Sequence, residues 1–292
     1  LDESLYAQLV DLLRTYMLVG GMPESVAKWI ETHDYLQCQE VQDDIVVGYD
    51  ADFPKYRKKV DPELLRQTLR SVVRQVGSNK FKTGDVQGYK SKEVVSALDL
   101  LTKAGLIVPV THTDGNGLPL GGEEDKECRK YLLLDTGLLL RMQDLQLHNM
   151  PKSAQFILTS TATELVNKGN LAEMAAGLEM VRYLEPNVRH ELHYWLRQAK
   201  NAVAEVDYLS VYGNRILPVE VKADTQGGMK SLWMFMRQRK LDLAVRCSLE
   251  NFGSFDYTDT QADEAQDGIA AVRRVVICPL FAMSQMMGLI QG

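Results

Sequence analysis

Glu205-Val206-Asp207-Tyr208 and, further along the chain, Glu220-Val221-Lys222 are the residues of this sequence best suited to chemistry. Successive side chains of an extended strand point to opposite faces, so Glu205 and Asp207 share one face, as do Glu220 and Lys222. Val206, Val219 and Val221 alternate with them and belong on the buried face. Gly213-Asn214 separates the two stretches as a short turn. If the strands pair as a hairpin, Asp207 and Glu220 become neighbours. Two carboxylates so placed repel each other unless a cation lies between them. Hard oxygen donors on a stiff strand pair suit Mg²⁺, with Mn²⁺ as its substitute, and such an ion bridges to phosphate. A lysine two positions from a liganding glutamate lies beside the attacking water, which it can orient or help to deprotonate. The competing reading is an amphipathic hairpin of alternating charge, in which Lys222 pairs with Glu220 or Asp207 in a quiet ionic cluster.

These residues need a sheet and a helix to hold them. Glu191–Trp195, Ala204–Val211 and Ile216–Lys222 read as three strands, with Leu243–Ser248 and Val275–Cys278 as later ones. A helix over about Leu171–Tyr183 precedes them, and another over Met229–Lys240 turns Leu232, Phe235 and Met236 inward. The first of these helices offers a third acid. Both Glu173 and Glu179 lie in it. The strand acids with Glu220-x-Lys222 resemble the core of the PD-(D/E)XK nuclease fold, and that resemblance implies an acid on the helix before the sheet. Glu173 is favoured for it because it follows Gly169-Asn170-Leu171-Ala172, near the helix start. Glu205, on the face of Asp207, is a second ligand or a salt-bridge partner. The order of elements predicts an α/β layer with a mixed sheet.

The half before Met150-Pro151 reads as helical. Leu5–Tyr16 carries apolar residues at Leu5, Leu9, Leu12, Leu13 and Tyr16. Gly20-Gly21-Met22-Pro23 breaks it, and Pro23 opens a helix with Val26, Trp29 and Ile30 as its apolar face; Leu36–Tyr49 is a third. Asp61-Pro62-Glu63 is a helix start, and Leu65, Leu69, Val72, Val73 and Val76 form its buried stripe up to Gly77. Ser91-Lys92-Glu93 opens the next helix, with Val94, Leu98, Leu101 and Ala104 inward and Gly105 as its stop. Leu106–Val110 and Lys130–Leu134 then read as two strands around a polar, Gly-rich excursion. Helix, helix and two-stranded wing is the winged-helix pattern. The predicted division is a helical region at 1–60, a winged helix at 61–150 and the sheet domain at 151–292.

Composition bounds the rest. The chain has 292 residues, 45% hydrophobic and 25% charged, which excludes disordered, collagen-like and disulfide-miniprotein classes. Its net charge of −6 is not that of a dedicated nucleic-acid binder. Locally the balance reverses: Lys55, Arg57, Lys58, Lys59, Arg66, Arg70, Arg74, Lys80 and Lys82 face only Asp61 and Glu63, a local excess of +7. With Lys92 on the following helix, this run is either a solvated face or a surface for phosphates, and Lys55, Arg66, Arg70, Arg74, Lys80, Lys82 and Lys92 are the candidate DNA contacts. Four scattered cysteines without a Cys-x-x-Cys pair argue against zinc and for a reducing, cytoplasmic setting. His190 and His193 read as structural histidines, Asp135 as the cap of the next helix, and Trp195 and Trp233 as core anchors. No apolar run reaches membrane-spanning length and no signal peptide is evident. The chain opens at Leu1 in helical character, which reads as a fragment of a longer protein or as the result of tag removal.

Glu173, Asp207 and Glu220-x-Lys222 together resemble the core of the PD-(D/E)XK nuclease fold. Several segments in turn resemble one prokaryotic family, the AAA-type ATPases with an uncharacterised C-terminal region that carries a nuclease-like domain. They are Tyr16–Val26 (YMLVGGMPESV), Asp44–Tyr56 (DIVVGYDADFPKY), Ser96–Leu106 (SALDLLTKAGL), Tyr131–Leu138 (YLLLDTGL), Gly169–Glu173 (GNLAE), His193–Trp195 (HYW), Ala204–Tyr208 (AEVDY) and Leu217–Lys222 (LPVEVK), followed by Lys230-Ser231-Leu232. The resemblance implies a winged helix followed by a restriction-endonuclease-like mixed sheet, α/β and α+β overall. It implies an ATPase core ahead of Leu1, which would be both the site of ATP binding and a partner of this region. Gly84–Ser91 (GDVQGYKS) lacks the glycine spacing of a P-loop, so ATP hydrolysis is not expected here. The expected function is a DNA-directed module, with Asp207, Glu220 and Glu173 as magnesium ligands and Lys222 as the water-positioning group of a nuclease. The alternatives are an inactive nuclease-like scaffold that regulates the ATPase, and DNA binding without cleavage. No membrane role is expected, and the oligomeric state is left open.

Overall fold

The structure, a computed structural model, describes residues 1–146, 168–183, 191–199, 202–223, 228–260 and 271–291. The predicted boundary at Met150-Pro151, and His190, lie outside the described residues. The chain divides into two compact units, one of Leu1–Val10, Val110–Arg129 and Lys168–Gly292, the other of Asp11–Pro109 and Lys130–Asn167. Helix α1 (Glu3–Val19) and the strands β1 (Ile107–Thr113) and β2 (Glu124–Leu133) each contribute to both. Among the described residues, no helix is long and apolar enough to cross a membrane.

The second unit is helical: α2 (Pro23–Thr32), α3 (Tyr35–Asp52), α4 (Pro62–Gln75), α5 (Ser91–Lys103) and α6 (Thr136–Gln146). The capping signals act as predicted. Pro23 and Pro62 sit in first turns, and the Asp61 carboxylate accepts the Glu63 N–H at 3.0 Å. The stripe Leu65, Leu69, Val72, Val73 and Val76 is buried, as are Val94, Leu98 and Leu101. Ala104, predicted inward, is exposed, because it caps the helix beyond its last buried turn. Of the residues expected on buried faces, Leu5, Leu12 and Ile30 are also exposed while Leu13 is buried; α1 and α2 bury Val10, Leu18, Val19 and Ser25 besides.

Asp135 explains the Gly-Gly break. Its carboxylate accepts the N–H of Leu138 at 2.9 Å, the predicted cap, and that of Gly21 at 2.6 Å. Gly20 has φ +75, and a Cβ there would meet Asp135 Oδ1 at 2.2 Å, so the position requires glycine.

The first unit is built on a sheet of order β2-β1-β3-β4-β5-β6-β8-β7. The remaining strands are β3 (Leu192–Ala199), β4 (Ala202–Tyr212), β5 (Arg215–Val221), β6 (Leu243–Ser248), β7 (Gly253–Asp259) and β8 (Ala271–Pro279). Helices α7 (Lys168–Tyr183), α8 (Lys230–Arg239) and α9 (Met286–Gln291) accompany them. β3, β4 and β5 form an antiparallel meander; β5, β6 and β8 run parallel; β7 returns antiparallel on the edge. The order α7, β3, β4, β5, α8, β6 gives the predicted mixed sheet, and the N-terminal half is the predicted helical one. β1 adds to the sheet by pairing parallel with β3, Val110 opposite Leu192 and His112 opposite Tyr194.

The core between the sheet and α8 gathers Trp195, Val206, Leu209, Ile216, Leu232, Phe235, Met236 and Ala244. Leu232, Phe235 and Met236 are fully buried, as their helical spacing predicts. Trp195 is the expected anchor, and Trp233, half-buried, packs against the same core and stacks on Tyr257 with ring centroids 4.1 Å apart. All four cysteines are free and buried, and burial raises the Cys278 thiol to about 12.

Candidate metal centre

The carboxylates of Glu173, Glu205 and Asp207 come together with oxygens within 4.8 Å of one another. Glu173 stands on α7, the other two on β4. The register of β3 and β4 shows how the strand presents them. His193 pairs with Leu209 and Trp195 with Val206, so Asp207 and Tyr208 both stand opposite the single Tyr194. That is a β-bulge, and bulges re-aim side chains beside sites. Asp207 Oδ2 also accepts the Val221 N–H at 2.7 Å, which fixes the carboxylate across the β4–β5 pair.

Glu220 and Lys222 lie beside this trio. Lys222 Nζ donates to Glu220 Oε1 at 2.5 Å, while Glu220 Oε2 is buried without a hydrogen-bond partner. Burial raises the Glu220 pKa above the ordinary glutamate value; Lys222 opposes that rise, and the charges of Glu205 and Glu173 add to it. For Lys222, burial acts against the ammonium, but Glu220 and then Asp207 outweigh it, so its pKa is raised and it stays charged. The four predicted residues therefore lie within electrostatic reach of one another. The trio, however, contains Glu205, and Glu220 is engaged by the lysine.

Arg246 completes the surroundings and has no counterpart in the sequence reading. It pairs in register with Glu220 across the parallel β5–β6 ladder and is buried, and its Nε lies 2.9 Å from Glu250 Oε2. The centre thus concentrates carboxylates from Glu173, Glu205, Asp207 and Glu220 around Lys222, with the Arg246 guanidinium beside Glu250. Hard oxygen donors, an excess of negative charge and a buried acceptor lacking a partner fit a divalent cation such as Mg²⁺ or Mn²⁺. The other helix acid, Glu179, lies 3.7 Å from Arg182 instead.

A second group of possible ligands, Glu124, Glu191 and His193, is closed on itself: His193 Nε2 lies 2.7 Å from Glu124 Oε1. This is the satisfied histidine expected from the sequence. A surface cavity of about 620 Å³ lies elsewhere, at the β4–β5 turn, lined among others by Tyr212, Arg215, Leu243, Val272 and Arg274. Its residues occupy the starts of β5, β6 and β8, whereas Glu220 and Arg246 lie toward the strand ends.

The predicted phosphate-facing residues belong to the helical unit. Lys55 pairs with Asp52 at 2.5 Å, and Arg66 is half-buried, 2.9 Å from Glu63 and 3.6 Å from Asp50. Arg70 and Arg74 are exposed on α4, and Lys80, Lys82 and Lys92 are exposed as well. Gln75 holds the Lys82 backbone by two hydrogen bonds, of 2.7 and 3.1 Å, which brings that segment to the end of α4 near Arg74.

Two family models match the chain. A domain of unknown function (DUF8612) matches residues 10–150, and a domain of unknown function (DUF4143) matches residues 168–264. The second is found in proteins associated with AAA ATPases. No curated protein and no solved structure matches the chain.

Proposed function

We propose that this chain is the DNA-directed part of an AAA-type ATPase and that its acidic centre is a Mg²⁺-dependent phosphodiesterase. The supporting observation is the trio Glu173, Glu205 and Asp207 beside a buried Glu220 oxygen that lacks a partner and a charged Lys222. In this reading the trio holds the cation, and Glu220 Oε2 is the remaining acceptor for the ion or for a proton of the attacking water. Lys222 leaves Glu220 to orient that water and to neutralise a phosphate oxygen. The bound ion contributes charge neutralisation at the phosphodiester. ATP would be bound by the ATPase with which this region works, which is also its partner in this reading. The buried thiols fit the reducing cytoplasm.

Cleavage of supercoiled plasmid and of single-stranded DNA in Mg²⁺ or Mn²⁺ tests the reading. Lys222→Ala should lower the rate about 1000-fold while leaving cation affinity within a few-fold. Equal cleavage by the wild type and this variant contradicts the site. Absence of cleavage on every substrate favours the scaffold, for which the tight Lys222–Glu220 pair is the motivating observation.

DNA binding through the helical unit makes a separate prediction. Arg70→Ala with Arg74→Ala should weaken binding uniformly across sequences and lower the slope of log affinity against log salt by about 2, one for each phosphate that the variant no longer neutralises. Fluorescence anisotropy over a salt series reads this slope, and an unchanged slope assigns the basic run to a solvated face.

A further inference from the structure

Tyr208 is fully buried, yet its hydroxyl donates at 2.7 Å to the main-chain carbonyl of Glu173, the residue whose carboxylate joins the acidic trio. The bulge stands behind this contact. Because Asp207 and Tyr208 share the place opposite Tyr194, one residue sends its carboxylate toward Glu173 while its neighbour grips the Glu173 backbone. Helix α7 is thereby tied to β4 at the residue that supplies the acid.

We propose that Tyr208 is a positioning residue that sets the separation of the Glu173 and Asp207 carboxylates, and through it the affinity of the centre for a divalent cation. The inference rests on the reading that the centre binds such an ion. It goes further in assigning the geometry of the site to a hydroxyl that touches neither ion nor substrate. Tyr208→Phe removes only that hydroxyl. The ring stays in the core, and the Glu173 carbonyl remains within the helix.

Mn²⁺ titration followed by electron paramagnetic resonance tests it on four proteins: wild type, Tyr208→Phe, Glu173→Gln and the double variant. Tyr208→Phe should raise the Mn²⁺ dissociation constant about 10-fold. Because Tyr208 acts through Glu173, the same change in the Glu173→Gln background should have an effect under about twofold, a coupling that general loosening does not produce. Leu232→Ala, a core change on α8, serves as the control: it should lower the thermal midpoint at least as far and leave Mn²⁺ affinity within about twofold of wild type. Undiminished affinity in Tyr208→Phe overturns the inference while leaving the metal centre standing. Equal losses from Tyr208→Phe with and without Glu173 also overturn it, as does a Leu232→Ala variant that loses affinity as much. A wild type without saturable Mn²⁺ binding removes the metal centre itself, and the inference with it.

Discussion

Asp207→Asn should raise the Mn²⁺ dissociation constant by at least about 100-fold, since losing even an outer partner of a metal ligand costs 10- to 100-fold. The fold should survive. Asp207 Oδ2 accepts the Val221 N–H at 2.7 Å, and a carboxamide oxygen can take that bond over. What disappears is one negative charge from three carboxylates whose oxygens lie within 4.8 Å. In metal-free protein that loss relieves repulsion, so the thermal midpoint should hold or rise. Millimolar Mn²⁺ should raise the wild-type midpoint by mass action and leave the variant's unchanged. Calorimetry with and without the ion reads both effects. An equal Mn²⁺-dependent rise in the two proteins would place the ion elsewhere.

Asp259→Ala should destabilise the first unit by about 3–5 kcal/mol, the cost of breaking a buried ion pair from one side. Asp259 ends β7 and is fully buried. Its carboxylate lies 2.9 and 3.0 Å from the Arg237 guanidinium and 3.1 Å from Arg273 Nε. Arg273 is itself only 2% exposed and also donates to the Met236 and Leu241 carbonyls, so one acid ties β7 and β8 to α8. Truncation strands the Arg273 charge in the core. Arg237→Ala should cost about 1 kcal/mol or less, because that side chain is 29% exposed and can be hydrated. Urea unfolding measures both, and a loss below about 1 kcal/mol for Asp259→Ala would mean that the network is not a tie.

The contrast between Glu205 and Glu220 shows where sequence reasoning reaches its end. Residue type and strand alternation were enough to find the acids and Lys222, because a chemically demanding cluster must use charged residues among buried valines. Alternation assumes one residue per pleat. The extra residue at Asp207–Tyr208 breaks that rule, and nothing in the side chains announces it. Glu205 joins the trio on the face that alternation gives it with Asp207, while Glu220 sits beside it on Lys222. Arg246 is silent in the sequence because its significance comes from parallel pairing with Glu220, a long-range register invisible in local pattern. β7 escapes sequence reasoning for a related reason. On the sheet edge it is exposed along most of its length, so Gly253-Ser254-Phe255-Asp256 carries no buried face to read. The helix starts, by contrast, are legible from Pro23, Asp61 and Asp135, since caps act within a few residues.

The most direct test of the metal centre is an anomalous difference map from crystals soaked in Mn²⁺. The account predicts a peak among the carboxylates of Glu173, Glu205 and Asp207, about 2.0–2.4 Å from their oxygens, a span that brackets magnesium- and calcium-type oxygen coordination. The peak should vanish in Asp207→Asn crystals. No peak at this cluster, or one only at Glu124, Glu191 and His193, would contradict it.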